Sequence, residues 1–143
     1  MRKDLIASKS IGINKVSSKV WDVLTNPKFI QEYLHGTETI TNWKVGSEII
    51  FQGEYQGKEY RDMGVILENV LYKLLSYSFW SNFSGLENKP ENYSQITYNL
   101  VSIDYKKTNL TWTQTGHPDE QARLGAENSI GELLEKIKEI AEK

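Results

Sequence analysis

The stretch PDEQARLGAENSIGELLEKIKEIAEK, residues 118–143, predicts the longest helix of the chain. Pro118 suits the first turn of a helix, and the two acidic residues that follow it favour the positive end of the helix dipole. Apolar residues then recur at spacings of three and four, which places them on one helical face. They are Ala122, Ala126, Ile130, Leu133, Ile137 and Ile140. One face of this helix is therefore expected to be buried.

The predicted buried face changes in side-chain size along the helix. Ala122, Gly125, Ala126 and Ser129 are small, whereas Ile130 and the apolar residues after it are large. A sheet that wraps the helix can close on the large residues and leave a void beside the small ones. Native proteins rarely keep a void that has no use. The pattern predicts a pocket beside the first half of the helix.

The chain before this helix has a residue pattern that is typical of an antiparallel sheet. From residue 37 onward, β-branched and aromatic residues alternate with polar ones, with breaks at 45–47, 56–58 and 69–72. This alternation predicts strands at 37–43, 48–55, 59–68, 73–80, 93–103 and 109–115, and a weaker alternation over 5–13 predicts a seventh. The segment 81–92 is longer than a usual hairpin connection and is expected to form a loop at the rim.

Two short helices are predicted between the first strand and the rest of the sheet. Val20, Trp21 and Leu24 share one helical face, and Asn26-Pro27 ends that helix and begins another. The fold class is therefore α+β, with a seven-stranded antiparallel sheet wrapped round a long C-terminal helix. All 143 residues are expected to form one domain.

Alternation along the strands also selects the side chains expected to line the pocket, because residues two apart point to the same face. The predicted ligand-binding set comprises Phe51, Tyr55, Tyr77, Phe79, Tyr98, Trp112 and Gln114 from the strands, and Ala126, Ser129, Ile130 and Leu133 from the long helix. Aromatic walls with a few polar tips suit a flat or aliphatic molecule. The alternative is that the same aromatic residues fill a closed core.

Two charged or titratable residues, His35 and Arg61, complete the predicted ligand-binding set. His35 follows the second short helix and could face a ligand at the pocket mouth, the alternative being a solvated loop histidine. Arg61 and Asp62 lie on opposite faces of the predicted strand 59–68. An inward Arg61 or Asp62 would be a strong polar anchor, the alternative being a solvated strand face or a pair across it.

Residues 20–27, Val-Trp-Asp-Val-Leu-Thr-Asn-Pro, resemble the first helix of the activator of Hsp90 ATPase homologue family, which usually reads Val-Trp-x-x-Leu-Thr-x-Pro. Later landmarks of that family follow in order at 45–47, 75–79 and 110–118, so the resemblance covers essentially the whole chain. It implies the helix-grip fold of START-like (SRPBCC) domains. This chain departs from the family at Gln114, where many relatives carry a His, and at Ile130-Gly131, where they carry a Gly-Trp pair. Gln114 can hydrogen-bond a ligand but cannot act as an acid or base.

The composition argues against several classes of function. The 17 basic and 19 acidic residues give a formal charge of −2, so no basic field is available for nucleic acid. The absence of cysteine excludes disulfides and thiolate nucleophiles. The two histidines, His35 and His117, lack metal-ligand spacing, and His117 is expected in a turn that leads into the last helix. Motifs for covalent hydrolysis, nucleotides and dinucleotides are absent. We expect no catalytic residue, metal or cofactor.

The location and partners follow from these observations. No segment approaches the roughly 20 apolar residues of a membrane span, and the N-terminus lacks a signal-peptide run, so a cytoplasmic protein is expected. The leading hypothesis is a module that binds a small hydrophobic or aromatic molecule. The alternatives are a polyketide cyclase/dehydratase-like enzyme that uses acid–base residues of the pocket, and a partner of an Hsp90-type chaperone. A homodimer is compatible with these observations.

Overall fold

The structure is a computed structural model that describes residues 1–143. In chain order the elements are β1 Arg2–Ile13, α1 Ser17–Thr25, α2 Pro27–Tyr33, β2 Glu38–Ile40, β3 Glu48–Tyr55, β4 Lys58–Val70, β5 Leu74–Phe79, β6 Ser94–Asp104, β7 Lys107–His117 and α3 Glu120–Ala141. Two 3-10 turns, Asn82–Ser84 and Pro90–Asn92, lie in the loop between β5 and β6. The fold class predicted from the sequence is confirmed.

The seven strands form one antiparallel sheet in the order β1-β7-β6-β5-β4-β3-β2. One face of this sheet packs against α3, since Leu75, Tyr98 and Leu110 belong to the same buried cluster as Ile137. The other face is polar, and there the hydroxyls of Ser8 and Thr113 lie 3.0 Å apart. The alternation of side chains between faces therefore runs in the predicted register.

The ends of most elements differ from the prediction by one or more residues, and three of these differences are informative. Strand β1 begins at Arg2 rather than at residue 5, and β2 ends at Ile40 rather than at residue 43. Trp43 has a φ of 64°, which takes the backbone out of the extended conformation. Helix α3 begins at Glu120 rather than Pro118, because Asp119 is extended and its carboxylate accepts a 2.8 Å hydrogen bond from the Ala122 N–H.

His117 lies at the end of β7 instead of in a turn that leads into the helix, and its side chain is buried. Its Nε2 atom lies 3.0 Å from the carbonyl oxygen of Gln114. This contact within the strand end gives the imidazole a hydrogen-bond partner away from solvent. His117 thus contributes to the structure at the end of β7.

The buried face of α3 is rotated relative to the predicted stripe. It consists of Ile130, Leu134, Ile137, Ile140 and Ala141. Leu133 lies at its margin and is only partly buried, while Gly125 and Ser129 are exposed. The first half of α3 lies along β1, where Arg123 Nη1 donates to the Ile6 carbonyl at 3.3 Å. The small residues therefore do not face a void, and the expected position of the pocket beside them is wrong.

A close approach between β4 and β5 requires Gly64. A Cβ atom at this position would lie 1.6 Å from the carbonyl oxygen of Ser78, so no larger residue fits without moving the backbone. Nearby, Met63 and Trp80 exchange backbone hydrogen bonds of 3.0 and 2.8 Å. The end of β5 is held tightly against β4, and this fixes Asp62 and Phe79 at the same end of the sheet.

Candidate ligand-binding site

A cavity of about 610 Å³ lies between the sheet, α3 and the segment that follows α2. Small-molecule pockets typically fall between about 300 and 1,000 Å³. Ten of the fifteen residues that line the cavity are hydrophobic, so the space suits an apolar molecule. The lining consists of Leu34, His35, Thr37, Phe51, Glu54, Tyr55, Tyr60, Asp62, Tyr77, Phe79, Phe83, Ile96, Trp112, Gln114 and Leu133.

The structure brings together most, but not all, of the residues proposed from the sequence. Those that line the cavity are His35, Phe51, Tyr55, Tyr77, Phe79, Trp112, Gln114 and Leu133. Those that lie outside it are Arg61, Tyr98, Ala126, Ser129 and Ile130. Except for Tyr98, the β-strand positions chosen by alternation thus meet at the cavity, whereas α3 contributes Leu133 alone.

Each residue outside the cavity has a different environment. Tyr98 lies in the core beside Tyr77, and the two hydroxyls are 2.6 Å apart. Ile130 is part of the packed core, Ala126 is partly buried and Ser129 is exposed. Arg61 is exposed and lines a separate groove, because the inward side of β4 presents Tyr60 and Asp62 instead.

Interlocking aromatic rings form the inner wall of the cavity. Phe51 lies 5.8 Å from both Tyr77 and Phe79 between ring centroids, and the Phe79 ring meets it edge to face. Trp112 packs against Tyr98 at 4.7 Å with an angle of 64° between the ring planes. The buried indole Nε1 of Trp112 has no hydrogen-bond acceptor. Edge-to-face aromatic contacts of this kind are directional, so the wall is a fixed shape.

The mouth of the cavity is also aromatic, but its rings are solvent-exposed. Phe83, in the loop between β5 and β6, lies 6.0 Å from Tyr55 and 5.4 Å from Tyr60 between ring centroids. Tyr55 is 59% exposed and Phe83 is 50% exposed. These three rings leave apolar surface in contact with water around the opening.

Two hydroxyl groups form a short chain beside the mouth. Thr37 Oγ1 lies 2.8 Å from the Leu34 carbonyl oxygen and 2.5 Å from the Tyr60 hydroxyl. A carbonyl can only accept, so Thr37 donates to Leu34 and the Tyr60 hydroxyl donates to Thr37. The Tyr60 oxygen therefore keeps its acceptor capacity for a bound molecule.

Asp62 is the most deeply buried carboxylate of the lining, with 8% of its surface exposed. Its Oδ1 accepts a 2.8 Å hydrogen bond from the Asn82 N–H, while Asn82 Oδ1 accepts a 2.5 Å bond from the Arg61 N–H. Burial raises the pKa of the Asp62 carboxyl, and the bond from the Asn82 N–H partly offsets this. These contacts anchor the loop 81–92 to β4.

The remaining polar side chains in and beside the cavity form hydrogen bonds to other protein groups. Burial raises the pKa of both Tyr77 and Tyr98, so neither hydroxyl ionises near neutral pH to act as a base. Gln114 Nε2 donates to Ser94 Oγ at 3.3 Å. His35 Nδ1 lies 3.5 Å from the Lys136 ammonium. No group of three or more His, Asp or Glu side chains is placed to hold a metal ion.

Some residues that line the cavity could not be predicted from the sequence. Tyr60 and Asp62 share a strand face because they are two residues apart, but which side of β4 faces inward is decided only by its pairing with neighbouring strands. Phe83 lies in an irregular loop, where no periodicity marks a side chain as inward. No feature of the sequence pattern indicated that Glu54 lines the rim of the cavity.

Comparison with known proteins identifies the family of this chain. The model described as "Activator of Hsp90 ATPase homolog 1-like protein" matches residues 16–142. A protein from Cytophaga hutchinsonii, solved in solution, is 35% identical with a TM-score of 0.85, covering 99% of this chain and 97% of that chain. No curated protein sequence matches this chain. No helix is long and apolar enough to cross a membrane.

More distant solved structures share the fold alone. An Hsp90 activator from Plasmodium falciparum is 15% identical with a TM-score of 0.76, covering 95% of each chain. CalU16 from Micromonospora echinospora is 16% identical with a TM-score of 0.69, covering 93% of this chain and 79% of that chain. On the family match and the element order, the chain belongs to the activator of Hsp90 ATPase homologue family and has its START-like helix-grip fold.

Proposed function

We propose that this protein binds a small hydrophobic or aromatic molecule in the cavity between the sheet and α3. The observation that carries the proposal is a cavity of about 610 Å³ in which seven of the fifteen lining residues are Phe, Tyr or Trp. Without a ligand, the apolar wall of this open cavity is in contact with water, which is unfavourable for apolar surface. An apolar ligand would displace that water and bury the wall.

The solvent-exposed rim supports the same proposal. Tyr55 and Phe83 would be buried if these aromatic residues only filled a core, yet they are 59% and 50% exposed. Apolar surface gathered around an opening is typical of a binding site. A ligand between the rings of Tyr55, Tyr60 and Phe83 would remove that surface from water.

Thermal unfolding with a panel of apolar molecules tests the proposal. A ligand present at a hundred times its dissociation constant stabilises the folded state by about 2.7 kcal/mol. In a domain of this size that corresponds to a Tm increase of several degrees. The panel should include fatty acids, alkyl and aromatic amines, flavonoids, steroids and polyketide mimics.

A matched pair of α3 variants locates the binding site. Leu133→Trp puts an indole into the cavity, whereas Leu124→Trp puts the same group on the solvent side of the same helix. The stabilisation should be lost in Leu133→Trp and kept in Leu124→Trp. A panel without any hit, or a hit that survives Leu133→Trp, would contradict the proposal.

A second candidate function is binding to an Hsp90-type chaperone, and one surface favours it. Leu71, Tyr72, Val101 and Tyr105 are 43–75% exposed and line one shallow groove, together with Val16. Exposed apolar surface of this kind is what a protein partner covers. The groove lies at the β4–β5 and β6–β7 turns, at the other end of the sheet from the cavity.

A pulldown with purified Hsp90 tests this second candidate. Leu71→Lys should reduce capture if the groove is the contact. Leu124→Lys, at an exposed apolar position on α3, is the control for the added charge. Capture that is equal for the native chain and Leu71→Lys would contradict the groove as the contact, and absence of capture would contradict the candidate.

A further inference from the structure

The acidic side chains of the cavity are not balanced by any Lys or Arg side chain in its lining. Glu54 and Asp62 line the cavity, and no Lys or Arg side chain does. Neither carboxylate forms an ion pair with another side chain. His35 is the one lining side chain able to carry positive charge, and it is exposed at the rim. The cavity therefore offers unpaired negative charge to whatever enters.

The surface next to the mouth extends this negative charge. A groove that shares Glu54 and Tyr60 with the cavity is also lined by Glu38, Glu59 and Arg61. Three glutamates thus face one arginine in the groove. Two lysines lie nearby: Lys136, which contacts His35, and Lys58, which pairs with Tyr55 across the β3–β4 hairpin. A cleft lined mostly by one sign of charge attracts ligands of the opposite sign.

Aromatic rings line the same cavity as the two carboxylates. The faces of Tyr55, Tyr60 and Phe83 carry the negative side of the ring quadrupole, which attracts cations in addition to apolar groups. A carboxylic acid brought into the same place would meet Glu54 and Asp62 without a counter-ion, so a like-charge ligand is disfavoured. The walls accept an apolar body, and the charges select its polar end.

We propose that the ligand of this cavity is an organic cation, an apolar or aromatic body that carries an amine or ammonium group held near Asp62 and Glu54. This inference rests on the function proposed above and specifies the chemical class of the ligand. The apolar body lies against the inner wall of Phe51, Tyr77 and Trp112. The positive group stays toward the rim, where the carboxylates and the Tyr60 hydroxyl oxygen can accept its hydrogen bonds.

Three probes that share one apolar body test the charge preference. They are 2-(1-naphthyl)ethylamine, 2-(1-naphthyl)ethanol and 1-naphthylacetate, with binding measured by calorimetry at low salt. The amine should bind about tenfold more tightly than the alcohol, and the acid should bind most weakly. Binding of the alcohol or the acid as tightly as the amine would overturn the charge inference and leave the proposed function standing. Failure of all three to bind would contradict both.

Charge-removing variants provide the second test. Glu54→Gln and Asp62→Asn keep the shape of the lining and remove one negative charge each. Glu68→Gln removes the same charge from an exposed position at the other end of β4. The amine should lose several-fold in affinity in the first two variants and keep it in Glu68→Gln, while the alcohol keeps its affinity in all three. An equal loss for amine and alcohol would show that the variants only disturb the wall, and would overturn the inference.

Discussion

The two ends of the space between the sheet and α3 are built from different side chains. At the closed end, Ile13, Val23, Ile137 and Ala141 are fully buried, with 0% exposure. At the open end, aromatic residues line about 610 Å³ of empty space, and Tyr55 and Phe83 remain half exposed. Branched aliphatic side chains interdigitate and fill their end. Flat, rigid rings form walls around the other.

This contrast predicts that adjacent residues of one helix differ in role, one serving stability and the other the proposed binding. Leu133 and Leu134 are neighbours in α3, but only Leu133 lines the cavity, while Leu134 is 1% exposed in the core. A change at one position should affect mainly binding, and a change at the other mainly folding. The two residues have the same chemistry, so they make a direct comparison.

The largest effect is expected for Leu134→Ala. Removing a fully buried leucine side chain leaves a cavity and costs about 2–5 kcal/mol of unfolding free energy. Leu133→Ala only enlarges a space that already exists, so its cost should be clearly smaller. Urea denaturation of both variants measures the difference. Equal destabilisation would mean that the two ends are packed alike, and the comparison would fail.

An intermediate effect is expected where the two ends meet, at the hydroxyls of Tyr77 and Tyr98. They lie 2.6 Å apart in the interior. Tyr77→Phe leaves the Tyr98 hydroxyl buried without that partner, at a cost of about 1–3 kcal/mol. Tyr77→Phe/Tyr98→Phe should cost less than the sum of the two single variants. Strict additivity in a double-mutant cycle would contradict the coupling.

The smallest effect is a pH dependence at Asp62. Because burial raises the pKa of Asp62, the folded protein holds that proton more tightly than the unfolded chain does. The native protein should therefore gain stability relative to Asp62→Asn as the pH falls from neutral through the raised pKa. The gain levels off below the unfolded pKa. At neutral pH Asp62→Asn should be at least as stable as the native chain, since its Oδ1 still accepts from the Asn82 N–H.

Chemical denaturation of both proteins across the acidic range measures this dependence. Glu68→Gln, exposed on the same strand, is the control for loss of one charge. A constant stability difference between the native chain and Asp62→Asn at all pH values would contradict a raised pKa at Asp62.

Much of the fold could be predicted because its signals are local. Alternation along the strands placed Phe51, Tyr77 and Trp112 on the face that lines the cavity, since neighbouring residues in a strand must point to opposite sides. The features that could not be predicted are those that depend on tertiary contacts. Successive helical residues differ by about 100°, so Leu133 and Leu134 both lie near the margin of the apolar stripe, and packing decides which is buried.

The candidate site could be predicted less completely for the same reason. The set predicted from the sequence contains Arg61 and the cavity contains Asp62 instead, because either face of β4 could have been the inner one. Phe83 reaches the mouth from an irregular loop, whose path depends on the contacts of Asn82 rather than on any periodic pattern. Loop residues that complete a site are set by such long-range hydrogen bonds.

The anchoring of the loop 81–92 bears on how quickly a ligand can come and go. Asn82 accepts from the Arg61 N–H and donates to Asp62, and the next residue, Phe83, covers part of the mouth. Breaking these two bonds would release the Phe83 side of the loop, while Trp80 Nε1 still donates to the Leu86 carbonyl. We therefore expect the residence time of the proposed ligand to depend on this local opening in addition to the affinity that the wall provides.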